Sequence, residues 1–235
     1  MKKEKILRDH YNIITYSKAH WTLLKEKREN AISLLELFIK EGFKPYVHGS
    51  IARGDVHKAS DIDIIFLAQI PVFQIEFILN KNGFKNFFRE IIMATPLDVI
   101  KLYIHLSELE SITIPLSKID KKFVEFYDFG GKVNFNQLKS DIRVAGIDKR
   151  LVLIKPNLQG HEEMSLIGNE ASIAKELNVS INTVNERKKI LMRREQYGRT
   201  GVFLKKEIQI NESTEEILKK LAIRKSIVRK KLFKR

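Results

Sequence analysis

Two carboxylates set two residues apart in an apolar strand pattern, Ser60-Asp61-Ile62-Asp63-Ile64-Ile65-Phe66, constrain this chain more than any other feature. Side chains at i and i+2 of a strand point the same way, so Asp61 and Asp63 form a pair while Ile62, Ile64 and Phe66 enter the buried side of a sheet. Like charges held together repel unless a cation sits between them, and a divalent metal ion is the natural occupant. Just upstream, Gly49-Ser50 ends another strand pattern and opens a short helical segment. Gly49 lets the backbone approach a ligand closely, Ser50 offers a hydroxyl, and the N–H groups that open the helix attract an anion. A metal-holding acid pair beside a phosphate-holding bend is equipment for phosphoryl or nucleotidyl transfer.

Gly49-Ser50, then Ala52-Arg53-Gly54-Asp55, then Ser60-Asp61-Ile62-Asp63 resembles the signature of the DNA polymerase β superfamily of nucleotidyltransferases. The resemblance implies a mixed or antiparallel sheet with helices, of α/β (α+β) class, and transfer of a nucleoside monophosphate from an NTP such as ATP to a hydroxyl acceptor. It also implies two Mg²⁺ ions and a third carboxylate on a strand beside the acid pair, at the same height. Asp98 in Leu97-Asp98-Val99-Ile100 is the preferred third ligand, as in the similar archaeal CCA-adding enzymes, and Glu90 is its competitor. Catalysis and metal binding are thus expected at Asp61, Asp63 and Asp98, and nucleotide binding at Gly49, Ser50 and Arg53. Over nearly its full length the chain also looks like a small group of archaeal nucleotidyltransferases, through HGSIARGDVHKASDID, REIIMATP, EFYDFGG, GIDKRLVLI and YGRTGVFL.

The formal net charge is +14, and +11 of it lies between Ile181 and Arg235, where 17 Lys and Arg face 6 Asp and Glu. That asymmetry places a polyanion-binding surface, with nucleic acid as the expected partner, in residues 170–235. There are no cysteines, which excludes disulfides and thiolate metal sites and suits a reducing cytoplasm. No apolar run approaches the roughly 20 residues that cross a bilayer, and the N-terminus has no apolar signal core, so a cytoplasmic chain without a membrane partner is expected.

Residues 1–42 read as mostly helical, with Gly42 as C-cap. Lys44–His48 and Asp61–Leu67 read as strands, and Val72–Leu79 as a helix that Pro71 starts and Asn82-Gly83 ends. Phe84–Met93 and Leu97–His105 read as the arms of a hairpin. Ile112–Leu116 and Arg150–Ile154 read as short strands, and Lys118–Tyr127 as a helix. These make one unit over 1–156, the nucleotidyltransferase-like domain. Residues 157–168 read as a linker.

Residues 169–235 read as a second, basic unit. Ile173, Ala174 and Leu177 mark a short helix, Asn178-Val179-Ser180 a turn, and Ser180 caps a second helix that buries Val184, Ile190 and Leu191. The pattern resembles a helix-turn-helix in which Asn182, Thr183, Asn185 and Glu186 would face bases and Arg187, Lys188, Arg193 and Arg194 would reach phosphates. Gly198–Gly201 would then turn a wing whose second strand is Val202–Leu204, giving a winged helix. Two functions therefore stand open: nucleotidyl transfer to a nucleic-acid end or a protein hydroxyl, or nucleic-acid-binding regulation with a nucleotide-sensing, non-catalytic domain.

Overall fold

The computed structural model describes residues 5–85 and 87–233; the ends of both terminal readings and position 86 in the expected hairpin arm lie outside the described residues. In chain order the elements are β1 (Tyr11–Thr15), α1 (Lys18–Ile39), β2 (Tyr46–His48), α2 (Ser50–Arg53), β3 (Ile62–Ile65), α3 (Val72–Lys81), β4 (Phe88–Met93), β5 (Lys101–His105) and β6 (Glu110–Pro115). There follow α4 (Lys121–Gly130), β7 (Lys132–Asn134), α5 (Phe135–Lys139), β8 (Gly146–Ile147), β9 (Val152–Asn157), β10 (Gly160–Ser165), α6 (Glu170–Glu176), α7 (Ile181–Tyr197), β11 (Leu204–Ile208), α8 (Thr214–Arg224) and α9 (Ser226–Phe233).

Among the described residues the strands form two sheets. The larger runs β11-β4-β5-β6-β3-β2-β7 and is antiparallel except for the parallel pair β3–β6. Ile62, Ile64 and Phe66 enter a core with Leu24, Leu35 and Phe38 of α1 and Ile75 and Leu79 of α3. The opposite face is covered too. Ile65 and Val99 pack beneath Phe123 and Tyr127 of α4, whose first turn is capped by Asp120 accepting the Phe123 N–H at 2.8 Å. A strand buried on both faces is a continuous apolar run, as Ile62-Asp63-Ile64-Ile65-Phe66 is apart from its acid.

The smaller sheet runs β1-β10-β9-β8. It corrects two readings. Residues 1–42 are not all helical, because Tyr11–Thr15 is an edge strand, and α1 begins only after Ser17, which accepts the His20 N–H. The supposed linker at 157–168 holds β10, paired to β1 on one side and β9 on the other. Its sequence Gly160-His161-Glu162-Glu163-Met164-Ser165 looks solvated, yet His161, Glu163 and Ser165 are buried and each is hydrogen-bonded. The sheet shares a core with Phe129 of α4, Ile173 and Ala174 of α6, and Val184 and Leu191 of α7. Helix α4 therefore serves both cores, with Phe123 and Tyr127 in one and Phe129 in the other.

Among the described residues, the unit expected from position 169 onward is not a separate winged domain, since its later strand and helices join the large sheet and its core. The helix-turn-helix itself is present: α6 ends at Leu177, Asn178 takes the left-handed conformation at φ +51°, and the Ser180 side chain caps α7. The wing is not. Residues before Gly198 are helical, and β11 pairs with β4 as the edge strand of the large sheet, from Leu204 opposite Met93 to Ile208 opposite Arg89. Leu204 and Ile208, with Ile217 and Ala222 of α8 and Val228 of α9, belong to the core of that sheet. Ile223, although apolar, is 78% exposed. Among the described residues no helix is long and apolar enough to cross a membrane.

Because α8 shares the main core, Ile217→Ala should lower the stability of the whole chain by about 2–5 kcal/mol and shift one cooperative unfolding transition. Denaturant unfolding followed by far-UV circular dichroism checks this. A separate early transition, with the main one unmoved, would mean that the C-terminal helices fold as their own unit.

Candidate active site

The Gly49-Ser50 bend is held from behind. β2 runs antiparallel to β3 with His48 opposite Asp63, and the chain then turns through Gly49 at φ +85°, which favours glycine. The Gly49 N–H and the His48 Nδ1–H both donate to the Gly131 carbonyl, at 2.9 and 3.0 Å. A Cβ on Gly130 would lie 2.3 Å from the His48 ring, so the double glycine after α4 is what lets it dock here. A Cβ on Gly49, in contrast, would meet nothing within 4 Å. The bend is therefore open on the side a ligand would use, and the Ser50 hydroxyl beside it lines the same cleft. Burial, reinforced by Arg53, pushes the His48 pKa down to about 3. Its ring is neutral at pH 7 and serves as a hydrogen-bond donor.

Asp61 and Asp63 do project together. Both line a cleft of ≈ 920 Å³ that also holds Gly49, Ser50 and Arg53. Asp61 is exposed at its rim, and Asp63 lies deeper, its Oδ1 accepting the Ser111 hydroxyl at 2.7 Å. Burial raises the Asp63 pKa; the Ser111 hydrogen bond opposes this and the Asp61 charge adds to it, with Lys149 and His105 lowering it again. An acid pair whose second proton is hard to remove is the signature of a site waiting for a cation.

Two expected site residues are placed elsewhere. Asp98 sits in the turn between β4 and β5, where its Oδ2 accepts the Thr95 N–H at 2.9 Å, and it does not line the cleft. Glu90 does not either; it pairs with Lys205 at 2.8 Å and with His105 at 3.2 Å. The reason is strand order. β6, rather than the β4–β5 hairpin, lies next to β3, and its residue level with Asp63 is Ser111. The neighbouring-strand position thus carries a hydroxyl in place of a third carboxylate. Among the described residues no group of three or more His, Cys, Asp or Glu is arranged to hold a metal ion.

Arg53 is in the cleft wall, but each of its three guanidinium nitrogens is already engaged. Nε and Nη2 grip Asp55 at 3.0 and 2.9 Å, and Nη1 donates to the Gly130 carbonyl at 2.6 Å. At 6% exposure it acts as a bolt between the bend and the end of α4, where nucleotide contact had been expected.

The facing wall comes from segments that sequence reasoning had treated as linker or as DNA-facing helix. On the small sheet, the Tyr16 hydroxyl donates to His161 Nδ1 at 2.7 Å, and Glu163 receives His10 and Arg150, each at 2.6 Å. Burial alone would raise the Glu163 pKa, but these hydrogen bonds hold it below the usual carboxylate range. Arg187, Leu191 and Arg194 of α7, with Arg199 after it, complete the cleft. The leading face of α7 is not free to enter a groove. Thr183 and Ser180 donate to Glu125 of α4 at 2.5 and 2.7 Å, and Glu186 pairs with Lys122 at 2.7 Å. Lys188 is likewise held by Glu170, at 2.7 Å. The one sequence signal that could have shown this is the spacing 187, 191, 194, which puts two arginines and a buried leucine on one helical face.

Asp63→Asn keeps an oxygen for Ser111 and removes a charge that the fold disfavours. A carboxyl whose folded pKa is raised contributes most to stability below its unfolded value and loses that contribution as pH rises through the folded value. The variant should therefore melt with the native protein in acid and a few degrees above it near neutrality, in metal-free buffer. A variant that melts lower at neutral pH would show that Asp63 is stabilised as a carboxylate.

Residues 33–129 match the family model described as a nucleotidyltransferase domain. No curated protein and no solved structure matches the chain. The matched span covers the end of α1 from Ser33, the Gly49-Ser50 bend, Asp61, Asp63, Ser111 and α4 up to Phe129. The chain carries, over these residues, a nucleotidyltransferase domain of the polymerase β superfamily type.

Proposed function

We propose that the chain transfers a nucleoside monophosphate from an NTP to a hydroxyl acceptor, releasing pyrophosphate, in a reaction that depends on a divalent metal ion. The observation that carries this is the meeting of the Asp61–Asp63 pair with the open Gly49-Ser50 bend in one cleft. Two adjacent carboxylates suit a hard cation such as Mg²⁺, which takes one or two protein carboxylates and fills its remaining positions with phosphate and water. Bound there, the ion would offset part of the triphosphate's charge and polarise the reacting phosphorus. With Ser111 in place of a third acid, the donor set fits one firmly held ion better than two.

The protein's own part is positioning. Gly49 and Ser50 would cradle the phosphates, while Asp61 and Asp63 fix where negative charge is tolerated. The new bond forms between acceptor oxygen and α-phosphorus, and the bond from that phosphorus to the pyrophosphate oxygen breaks. The acceptor is a nucleic-acid end or a protein hydroxyl. The basic C-terminal third favours the former, although not by a helix in a major groove, since the leading turn of α7 is held by α4. For the same reason a regulator that reads duplex DNA through α7 finds no support.

Purified protein incubated with each α-labelled NTP, Mg²⁺ and total RNA or lysate should label an acceptor. Chelation by EDTA, or the double variant Asp61→Asn, Asp63→Asn, should reduce the label to background. Equal labelling by the double variant would overturn the mechanism.

A further inference from the structure

We propose that Arg187 and Arg194, on the inward face of α7, bind the phosphate tail of the nucleotide, so that the helix-turn-helix closes the nucleotide site. The assignment rests on the nucleotidyl-transfer reading of the cleft and adds to the metal ion two protein cations for the triphosphate.

The need for one follows from charge. A triphosphate brings about four negative charges to a cleft that already holds the Asp61–Asp63 pair, and one divalent ion does not balance them. Arg53 is already committed, each of its three guanidinium nitrogens being bonded to Asp55 or Gly130. Arg150 is held by Asp148 at 2.5 Å and by Glu163 at 2.6 Å. Arg187, Arg194 and Arg199, in contrast, form no ion pair among the described residues, although all three line the cleft.

Arg187 is the most telling. Its guanidinium lies 4.6 Å over the Phe126 ring, and its Nε is buried without an acceptor. A buried donor left unmade is costly, and burial lowers the pKa of this group to about 10. Arg194 is disfavoured by burial and by Arg199 beside it. Glu186 and Asp98 offset part of the charge on Arg187 without forming an ion pair with it, and cations gathered in one cleft in this way mark a site kept for binding an anion. Positions 187, 191 and 194 fall on one face of the helix. The latch of Ser180 and Thr183 onto Glu125 fixes that face towards the cleft.

The test measures binding of a fluorescent non-hydrolysable NTP in Mg²⁺, and of the matching nucleoside, to the native chain, Arg187→Met and Arg194→Met. Arg187→Met keeps a long apolar stem on Phe126, and its melting temperature should equal or exceed the native one. Each variant should bind the triphosphate about tenfold or more weakly, as expected for loss of a charge-assisted contact. Nucleoside affinity should stay within about twofold, and Arg187→Lys should recover part of the loss. Native triphosphate affinity in both variants, or equal losses for nucleoside and triphosphate, would overturn the assignment. A chain that binds triphosphate through these arginines yet labels no acceptor would sink the transfer reaction and leave the assignment standing. Full transfer by both variants would do the reverse.

Discussion

The carbonyl oxygens of Gly130 and Gly131 hold the site together. The first accepts Arg53 Nη1; the second accepts the Gly49 N–H and the His48 ring. These bonds tie the end of α4 to the bend between β2 and α2, and their close approach leaves no room for a side chain at Gly130. Since α4 puts Phe123 and Tyr127 into one core and Phe129 into the other, the same contacts fix the small sheet and α7 relative to the acid pair. The cleft is a consequence of that junction, with one wall from each core.

The two walls carry opposite electrostatic burdens. Asp63 is an acid made harder to ionise by burial and by Asp61. Arg187 is a half-buried cation whose buried Nε has no acceptor, and Arg194 is disfavoured by burial and by Arg199. Neither set neutralises the other, for no ion pair joins Asp61 or Asp63 to these arginines among the described residues. A metal nucleotide presents a cation to one wall and anions to the other. The bound state should thus relieve costs that the empty fold carries, which is how binding energy is directed to a reacting centre.

How much of this the sequence disclosed depended on the range of the interactions. The acid pair, the Gly-Ser bend, α3 and the β4–β5 hairpin follow local periodicity and capping, and they stand close to where that pattern puts them. β10 was hidden because its buried His161 and Glu163 are satisfied by Tyr16, His10 and Arg150, partners that local pattern cannot reveal. The wing strand expected at Val202–Leu204 is displaced to Leu204–Ile208, because pairing with β4, which local pattern cannot show, sets where the strand forms. Asp98 was favoured on the assumption that the hairpin adjoins β3, whereas β6 intervenes. The helix-turn-helix was legible as two helices and a turn. What it faces was not, since that is set by Glu125 and Phe126 more than fifty residues earlier.

The central claim is that one cleft brings a metal-binding acid pair and a phosphate-binding bend to the same nucleotide. A crystal structure with Mn²⁺ and a non-hydrolysable NTP tests it most directly. An anomalous peak is expected between the carboxylates of Asp61 and Asp63, with the triphosphate lying between Gly49-Ser50 and α7. A nucleotide bound outside this cleft, or a Mn²⁺ peak touching neither carboxylate, would contradict it.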